Sequence, residues 1–457
     1  MVVSWPHNRC TALSVPETVL RYSRHSSLTD GRMDLASSEE QADGSFFAGR
    51  LREPRVASMA LRCLSRVVGE RYWSADEERD RRLGMLDPVV TSDRGRLRFE
   101  GFSGCRSAYA RVDLLPAGLE VVDQRFGTTN VDFNPPLRDA LARVMPDDAL
   151  SLNVDSGSLA LAHGDEVFVE KKVELPVSWL RGLASIPLVE AEAEPVASVE
   201  GAGIARWFRQ IPRTGNDRQS HWVDPRQHGR SSRRPVAGGL EIASVKRLLI
   251  LHELISHASR LSIARDVHSG GTVWRLDGPG LRFTLALSSR SWRGFSGEGR
   301  SLTDLAGTAD ADLEVAIEGG DETLIDPDSL GRLHDLPLPA VRASLASLAS
   351  QGKLGFDAAE GRWYRRRIPA AEALSAGEPN RLRQARKWLE TGAIDDFSRD
   401  GSACRARVTG VNGAAFLVTF DRSGDGRCTC PWFTRFGLSR GPCSHLLALD
   451  LLRKSRP

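Results

Sequence analysis

Three thiols and an imidazole crowd the carboxy-terminal end of this 457-residue chain: Cys428 and Cys430, then Cys443 and His445. Thiolate sulfur and neutral imidazole nitrogen are the donors zinc favours, and four of them complete its tetrahedron with no corner left for water. The chemistry implied is one structural Zn2+ rather than a catalytic one. Three thiolates and a neutral imidazole around a dication leave a net charge of −1. Arg427, Arg435, Arg440, Arg453 and Lys454 are close enough in sequence to offset it, or to face phosphate.

The flanking residues show how such a site is assembled. Cys404-Arg-Ala-Arg-Val and Ala414-Ala-Phe-Leu-Val-Thr-Phe are strand-like, and Asn412-Gly413 between them is a hairpin signal because both positions tolerate positive φ. A polar turn from Asp421 to Gly426 then delivers Cys428 and Cys430 on one extended stretch, where residues two apart share a face. Pro431 is expected to stop a helix there, with Trp432 and Phe433 as apolar cover or plain core. On a helix, residues two apart diverge by about 200°. Cys443 therefore precedes the helix that runs from His445 to Leu452, with Ser444 a candidate N-cap. Cys404 reads as a core cysteine.

Cys428-Thr-Cys430-Pro-Trp-Phe and Gly441-Pro-Cys443-Ser-His445-Leu-Leu-Ala-Leu resemble a SWIM-type zinc finger across Ala403 to Leu452. Upstream, Gly101-Phe-Ser-Gly-Cys105 and Gly127-Thr-Thr-Asn-Val-Asp-Phe-Asn-Pro-Pro136 are similar to bacterial proteins that carry this finger at their carboxy end. The resemblance implies zinc at the four ligands and a DNA or protein partner. It also implies an accessory role beside MoxR-type ATPases and von Willebrand A-domain proteins.

Seven cysteines, an odd number and mostly scattered, with no apolar leader segment, point to a reducing cytoplasm rather than a disulfide scaffold. No apolar run approaches the roughly 18 residues of a spanning helix, so no membrane segment is expected. A net charge of +3 neither demands nor excludes nucleic acid.

The length implies several domains. The reading is α+β and multidomain, with a winged-helix-like unit and a C-terminal SWIM-type ββα finger. Residues 1–58 read as a disordered lead-in, 59–200 as an α+β domain, 201–239 as an Arg-rich linker and 240–325 as a second α+β segment. Residues 326–370 form the winged-helix-like unit and 380–457 the finger. The Arg-rich segment, with Trp207, Phe208 and Trp222 interleaved, reads either as a solvated linker or as a grip for phosphates and bases. In the winged-helix-like unit, Pro339 opens a helix carrying Val341, Leu345 and Leu348 and closed by Gly352; a hairpin wing follows. The wing holds Arg362, Arg365, Arg366 and Arg367, which, with Arg435 and Arg440, are the candidate nucleic-acid contacts.

Other motifs fail on spacing. His252 and His257 are five apart, not the four that a helical zinc-protease site needs. Ser103 lacks the final glycine of a nucleophile elbow, and there is no Walker loop. The acidic run from Asp310 to Glu322 lacks calcium-loop spacing. No small-molecule substrate is identified. The expected activity is binding rather than catalysis: a zinc-dependent DNA binder, or alternatively a protein-interaction scaffold within a larger complex.

Overall fold

The computed structural model describes residues 18–22, 25–36, 46–70, 88–131, 133–155, 171–175, 177–213, 220–267, 269–290, 294–295, 302, 305–307, 309–320, 324–366, 368, 380–438 and 441–455. Its centre is an antiparallel sheet of eight strands in the order Glu194–Glu200, Arg260–Arg265, Thr272–Gly278, Leu281–Leu287, Ala108–Leu114, Arg96–Phe102, Val89–Asp93 and Gly127–Asn130. The seam pairs Leu285 with Ala110, so the two stretches expected as separate α+β segments form one sheet over one core. Pairing across so long an intervening chain leaves no mark in local sequence pattern.

Strand alternation gives this sheet two unlike faces. Leu97, Phe99, Val112, Phe283 and Leu285 project to one side, where the helix Pro54–Gly69 covers strands Arg96–Phe102 and Ala108–Leu114. Arg98, Glu100, Tyr109, Arg111 and Asp113 project to the other and are buried too. That ionic face is covered by the helix Val177–Glu192 and by the hairpin Leu354–Asp357/Arg362–Arg365. Arg111 donates to the Glu190 carboxylate at 3.0 Å and to the Phe356 carbonyl at 2.8 Å. Arg98 lies 3.9 Å over the Tyr364 ring. Gly355 makes room for that ring, since a Cβ there would stand 2.2 Å from Tyr364 Cζ.

The expectation of a disordered lead-in is corrected over its described residues. Strands Ser27–Thr29, Arg32–Ala36 and Phe47–Leu51 join Leu150–Asp155 and Leu119–Gln124 in a five-stranded sheet, with Met33, Leu35 and Phe47 buried. Each strand is too short to show a sustained period, and its partners lie far along the chain. The Arg-rich linker is likewise folded where it is described. The helix Ala202–Arg209 buries Ile204, Trp207 and Phe208, and His221–Asp224 pairs with Arg230–Ser232 and Leu240–Ile242. Apolar residues spaced three and four apart are a helical stripe, which the arginine content obscured.

Beyond the sheet come the helices Ala311–Gly319, Pro327–His334 and Leu338–Ser350 and then the hairpin, with Ile325 bridging to Trp363. The third helix and the hairpin lie where the sequence put them. The helix does not present a free face, however. Val341, Leu345 and Leu348 enter the local core, while Ala343, Ser344, Ala346 and Ala349 are also buried, and the helix packs against Val177–Glu192 as well as both preceding helices.

Candidate metal centre

The carboxy-terminal unit is built on a four-stranded sheet, Ile394–Asp400, Ala403–Thr409, Ala415–Phe420 and Gly426–Cys428. The hairpin forms at the expected place but by a wider turn than the two-residue one expected. Thr409 pairs with Ala415, the Gly413 N–H donates to the Gly410 carbonyl, and Gly413 takes a positive φ of 74° while Asn412 does not. Cys404, Ala406, Val408 and Val418 are buried beneath the helices Asn380–Glu390 and Ser444–Ser455. Cys428 lies opposite Val418, which itself pairs with Ala406, so strand register aims the first thiol inward. Cys404 belongs to this core and not to the ligand cluster.

The other two thiols start helices. Pro431 does not stop a helix; it opens Pro431–Phe436, because proline's missing N–H is harmless at a first turn. Cys430 is the N-cap, its Sγ accepting from the Phe433 amide at 3.3 Å. Cys443, rather than Ser444, plays the same part for Ser444–Ser455, accepting from the Leu446 amide at 3.4 Å. Cys428 Sγ accepts from the Cys430 amide at 3.4 Å. Each sulfur thus receives a backbone N–H, which favours the charged thiolate that zinc binds.

The ligand atoms of Cys428, Cys430, Cys443 and His445 all lie within 4.8 Å of one another. Zinc–sulfur bonds of about 2.3 Å imply a tetrahedron with edges of roughly 3.8 Å, so the set is close to assembled. Both His445 ring nitrogens are buried without a hydrogen-bond partner among the described residues, a costly state that a metal bond relieves. The residues therefore fit zinc: three sulfurs and one imidazole nitrogen would hold it, and the ion would cross-link strand, short helix and long helix. The Cys443 thiol is pulled down, chiefly by the hydrogen bond from Cys428 and also by His445. Cys428 is pushed up as it holds the proton shared with Cys443, and Cys430 is pushed up by burial.

Residues outside the motif hold these ligands in place. His445 is sandwiched by Trp388, stacked at 4.6 Å, and Phe416, tilted at 4.8 Å. Arg381 donates to the Pro442 carbonyl at 2.7 Å and lies 4.7 Å over the Trp432 ring, linking the two halves of the site. The sequence reading missed Trp388 and Arg381. The signal available was the amphipathic stretch from Asn380 to Glu390, which buries Leu382, Ala385 and Trp388.

The proposed nucleic-acid arginines scatter. Arg362 is exposed on the hairpin. Arg365 is half-buried and donates to the Ile317 carbonyl. Arg366 is a correction: its side chain is fully buried in an ion pair with Glu100 and a hydrogen bond to the Leu183 carbonyl, out of reach of any phosphate. Strand alternation turned it into the ionic sheet face, which its basic neighbours disguised. Arg435 is exposed, its guanidinium 5.2 Å over Phe436. Arg367 and Arg440 lie outside the described residues. Arg453 and Lys454 both pair with Asp450 at 2.7 Å. Among the described residues, no helix is long and apolar enough to cross a membrane.

No curated protein matches the chain. Among solved structures, the Proliferating Cellular Nuclear Antigen of Entamoeba histolytica is similar at TM-score 0.34 and 9% identity, over 54% of this chain and 99% of that one. The PCNA2–PCNA3 complex of Sulfolobus tokodaii is similar at TM-score 0.35 and 12% identity, over 53% and 99%. Both likenesses are too distant to assign a fold. The zinc-finger family model gives the firm result, matching the segment that contains all four ligands: residues 407–449 of this chain are a SWIM zinc finger.

Proposed function

We propose that this chain is a nucleic-acid-binding protein whose zinc-stabilised finger meets phosphate with the outer face of its sheet. The observation that carries this reading is where the charge lies. Residues 380–457 hold 14 Arg and Lys against 7 Asp and Glu, a surplus of 7 in a chain whose total is only +3. On the outer sheet face Arg405 pairs with Thr419, and Thr419 with Arg427, giving a row of two exposed arginines flanking a threonine. Arg407 stands beside them, opposite Leu417. Its pair with Asp396, at 3.8 Å and largely exposed, is a weak competitor for phosphate. The buried helix Leu338–Ser350 supports placing the contact on the finger, since a helix packed against three others cannot enter a groove.

The test is binding of labelled DNA by the zinc-loaded protein across a salt series, for wild type and for Arg405→Ala/Arg427→Ala. Loss of two phosphate contacts should lower the slope of log affinity against log salt by about 2. An unchanged slope rejects this face. Exposed Val411, at 80%, and Leu417, at 46%, favour a second reading in which the finger docks a protein partner. No DNA affinity at low salt would move the conclusion there.

A further inference from the structure

A cleft of about 410 Å³ opens where the strand Val89–Asp93 and Gly127 at the start of the sheet's edge strand meet the helical unit, far from the finger in sequence. That volume falls in the range of small-ligand sites and excludes a duplex. Four basic residues line it: Arg94 from the turn after Val89–Asp93, and Lys353, Arg365 and Arg366 from the helical unit, with the Arg366 guanidinium committed to Glu100 and the Leu183 carbonyl. Asp93 and Glu318 also line it, Glu318 paired with Lys353 at 2.6 Å. Asp93 already faces a buried cation, its carboxylate lying 4.0 Å from the Arg98 guanidinium, and burial pushes its carboxyl up. The remaining prominent wall is the ring of Phe126, 66% exposed, with the Arg94 guanidinium 6.0 Å from its centroid.

The position of Arg94 is informative. Asp93 pairs with Arg96, leaving Arg94-Gly95 as a two-residue turn with φ of 29° and 75°. Turns of this sign at both positions favour Asn or Gly at the first, and an arginine there is held in an unfavourable backbone region. Folding gains nothing evident from it, whereas a cation at the rim of the cleft, beside an exposed aromatic, is suited to a ligand. We infer that this cleft binds a free nucleoside phosphate, its phosphate held by Arg94, Lys353 and Arg365 and its base stacked on Phe126. Phosphate alone would use only the cations, and a nucleoside only the ring; the two together need both halves of the cleft. Stacking of this kind contributes roughly 1–3 kcal/mol per base.

The experiment is titration of the zinc-loaded full chain with AMP, ATP, adenosine and inorganic phosphate, followed by calorimetry or ligand-observed NMR. AMP and ATP should bind more tightly than adenosine or phosphate. Arg94→Ala should weaken nucleotide binding by at least about tenfold, and Phe126→Ala should weaken AMP while leaving phosphate unchanged. Both side chains are exposed, so unchanged urea midpoints are expected for the two variants. A Lys353→Met variant provides an independent third probe. Absence of nucleotide binding at millimolar concentration, or wild-type affinity in Arg94→Ala and Phe126→Ala, overturns the assignment. A 5′-phosphorylated oligonucleotide that displaces AMP more efficiently than AMP displaces itself would show that a strand end, not a free nucleotide, is the ligand. The Arg405→Ala/Arg427→Ala variant, impaired at the finger, should bind AMP as wild type does, which separates this site from the DNA surface.

Discussion

The indole of Trp388 lies flat on the imidazole of His445, with ring centroids 4.6 Å apart and planes within 12° of parallel. A histidine ligand is usually oriented by a hydrogen bond to its second nitrogen. Here neither nitrogen has such a partner among the described residues, so the stacked ring sets the imidazole plane. Trp388→Ala should therefore lower zinc affinity by about 10–100-fold, the range seen when supporting residues of metal ligands are lost. Trp388→Phe should retain most of it. Competition against a chromogenic chelator reads the difference, while zinc stoichiometry at saturating metal stays at one per chain in both.

Loss of a ligand should be more severe but equally local. Cys428→Ser or His445→Ala removes a corner of the tetrahedron and leaves the remaining thiols buried without compensation, so the finger should unfold. The core around the eight-stranded sheet is a separate cluster from that holding the cysteines. Chelation or either substitution should thus abolish zinc content and amide protection in 380–455 while the main sheet remains protected. Hydrogen exchange with mass spectrometry resolves the two regions. Global loss of protection would show that the two cores fold as one.

Two arginines that look alike in sequence should behave in opposite ways. Arg366 and Glu100 form a fully buried pair, whereas Arg362 is exposed. Arg366→Ala leaves a carboxylate buried without its partner and should cost about 3–5 kcal/mol. Arg362→Ala should stay within about 0.5 kcal/mol. Urea denaturation of both variants checks the ranking.

What could be read in the sequence follows from the range of the interactions involved. The finger is local: a hairpin turn, three thiols aimed by strand register and helix starts, and a leucine-rich helix lie within a single short segment, so Cys428, Cys430, Cys443 and His445 stood out together. Pro431 was misjudged because the same residue that breaks a helix interior also favours its first turn. The hairpin Leu354–Asp357/Arg362–Arg365 was visible from alternation and its polar turn. Its buried face was not, because Glu100 and Leu183, which fix Arg366, belong to elements far away in the chain. Burial of ionic residues is contrary to composition, so no sequence pattern marks Arg98 and Arg111 as interior.

That ionic face should make stability depend on pH through Glu190. Four carboxyls, Glu100, Asp113, Glu190 and Asp357, are buried among the described residues beside three guanidiniums, Arg98, Arg111 and Arg366. Tyr109 and Tyr364 add only neutral hydroxyls at ordinary pH, both pushed up by burial. Burial raises Glu190 to about 7, against the opposing pull of Arg111 and with further help from Asp113 and Glu100. A carboxyl raised in the folded state binds its proton more tightly there than in the unfolded chain. Its contribution is therefore complete below the ordinary carboxylate range and is lost as pH climbs towards 7. Denaturant unfolding between pH 5 and 8 should show stability falling by up to about 3 kcal/mol from this group. Glu190→Gln keeps the hydrogen-bonding acceptor toward Arg111 but cannot ionise, so its profile should be flatter over that interval. A wild-type profile that rises with pH there, or one that Glu190→Gln leaves unaltered, would assign the titration to another group.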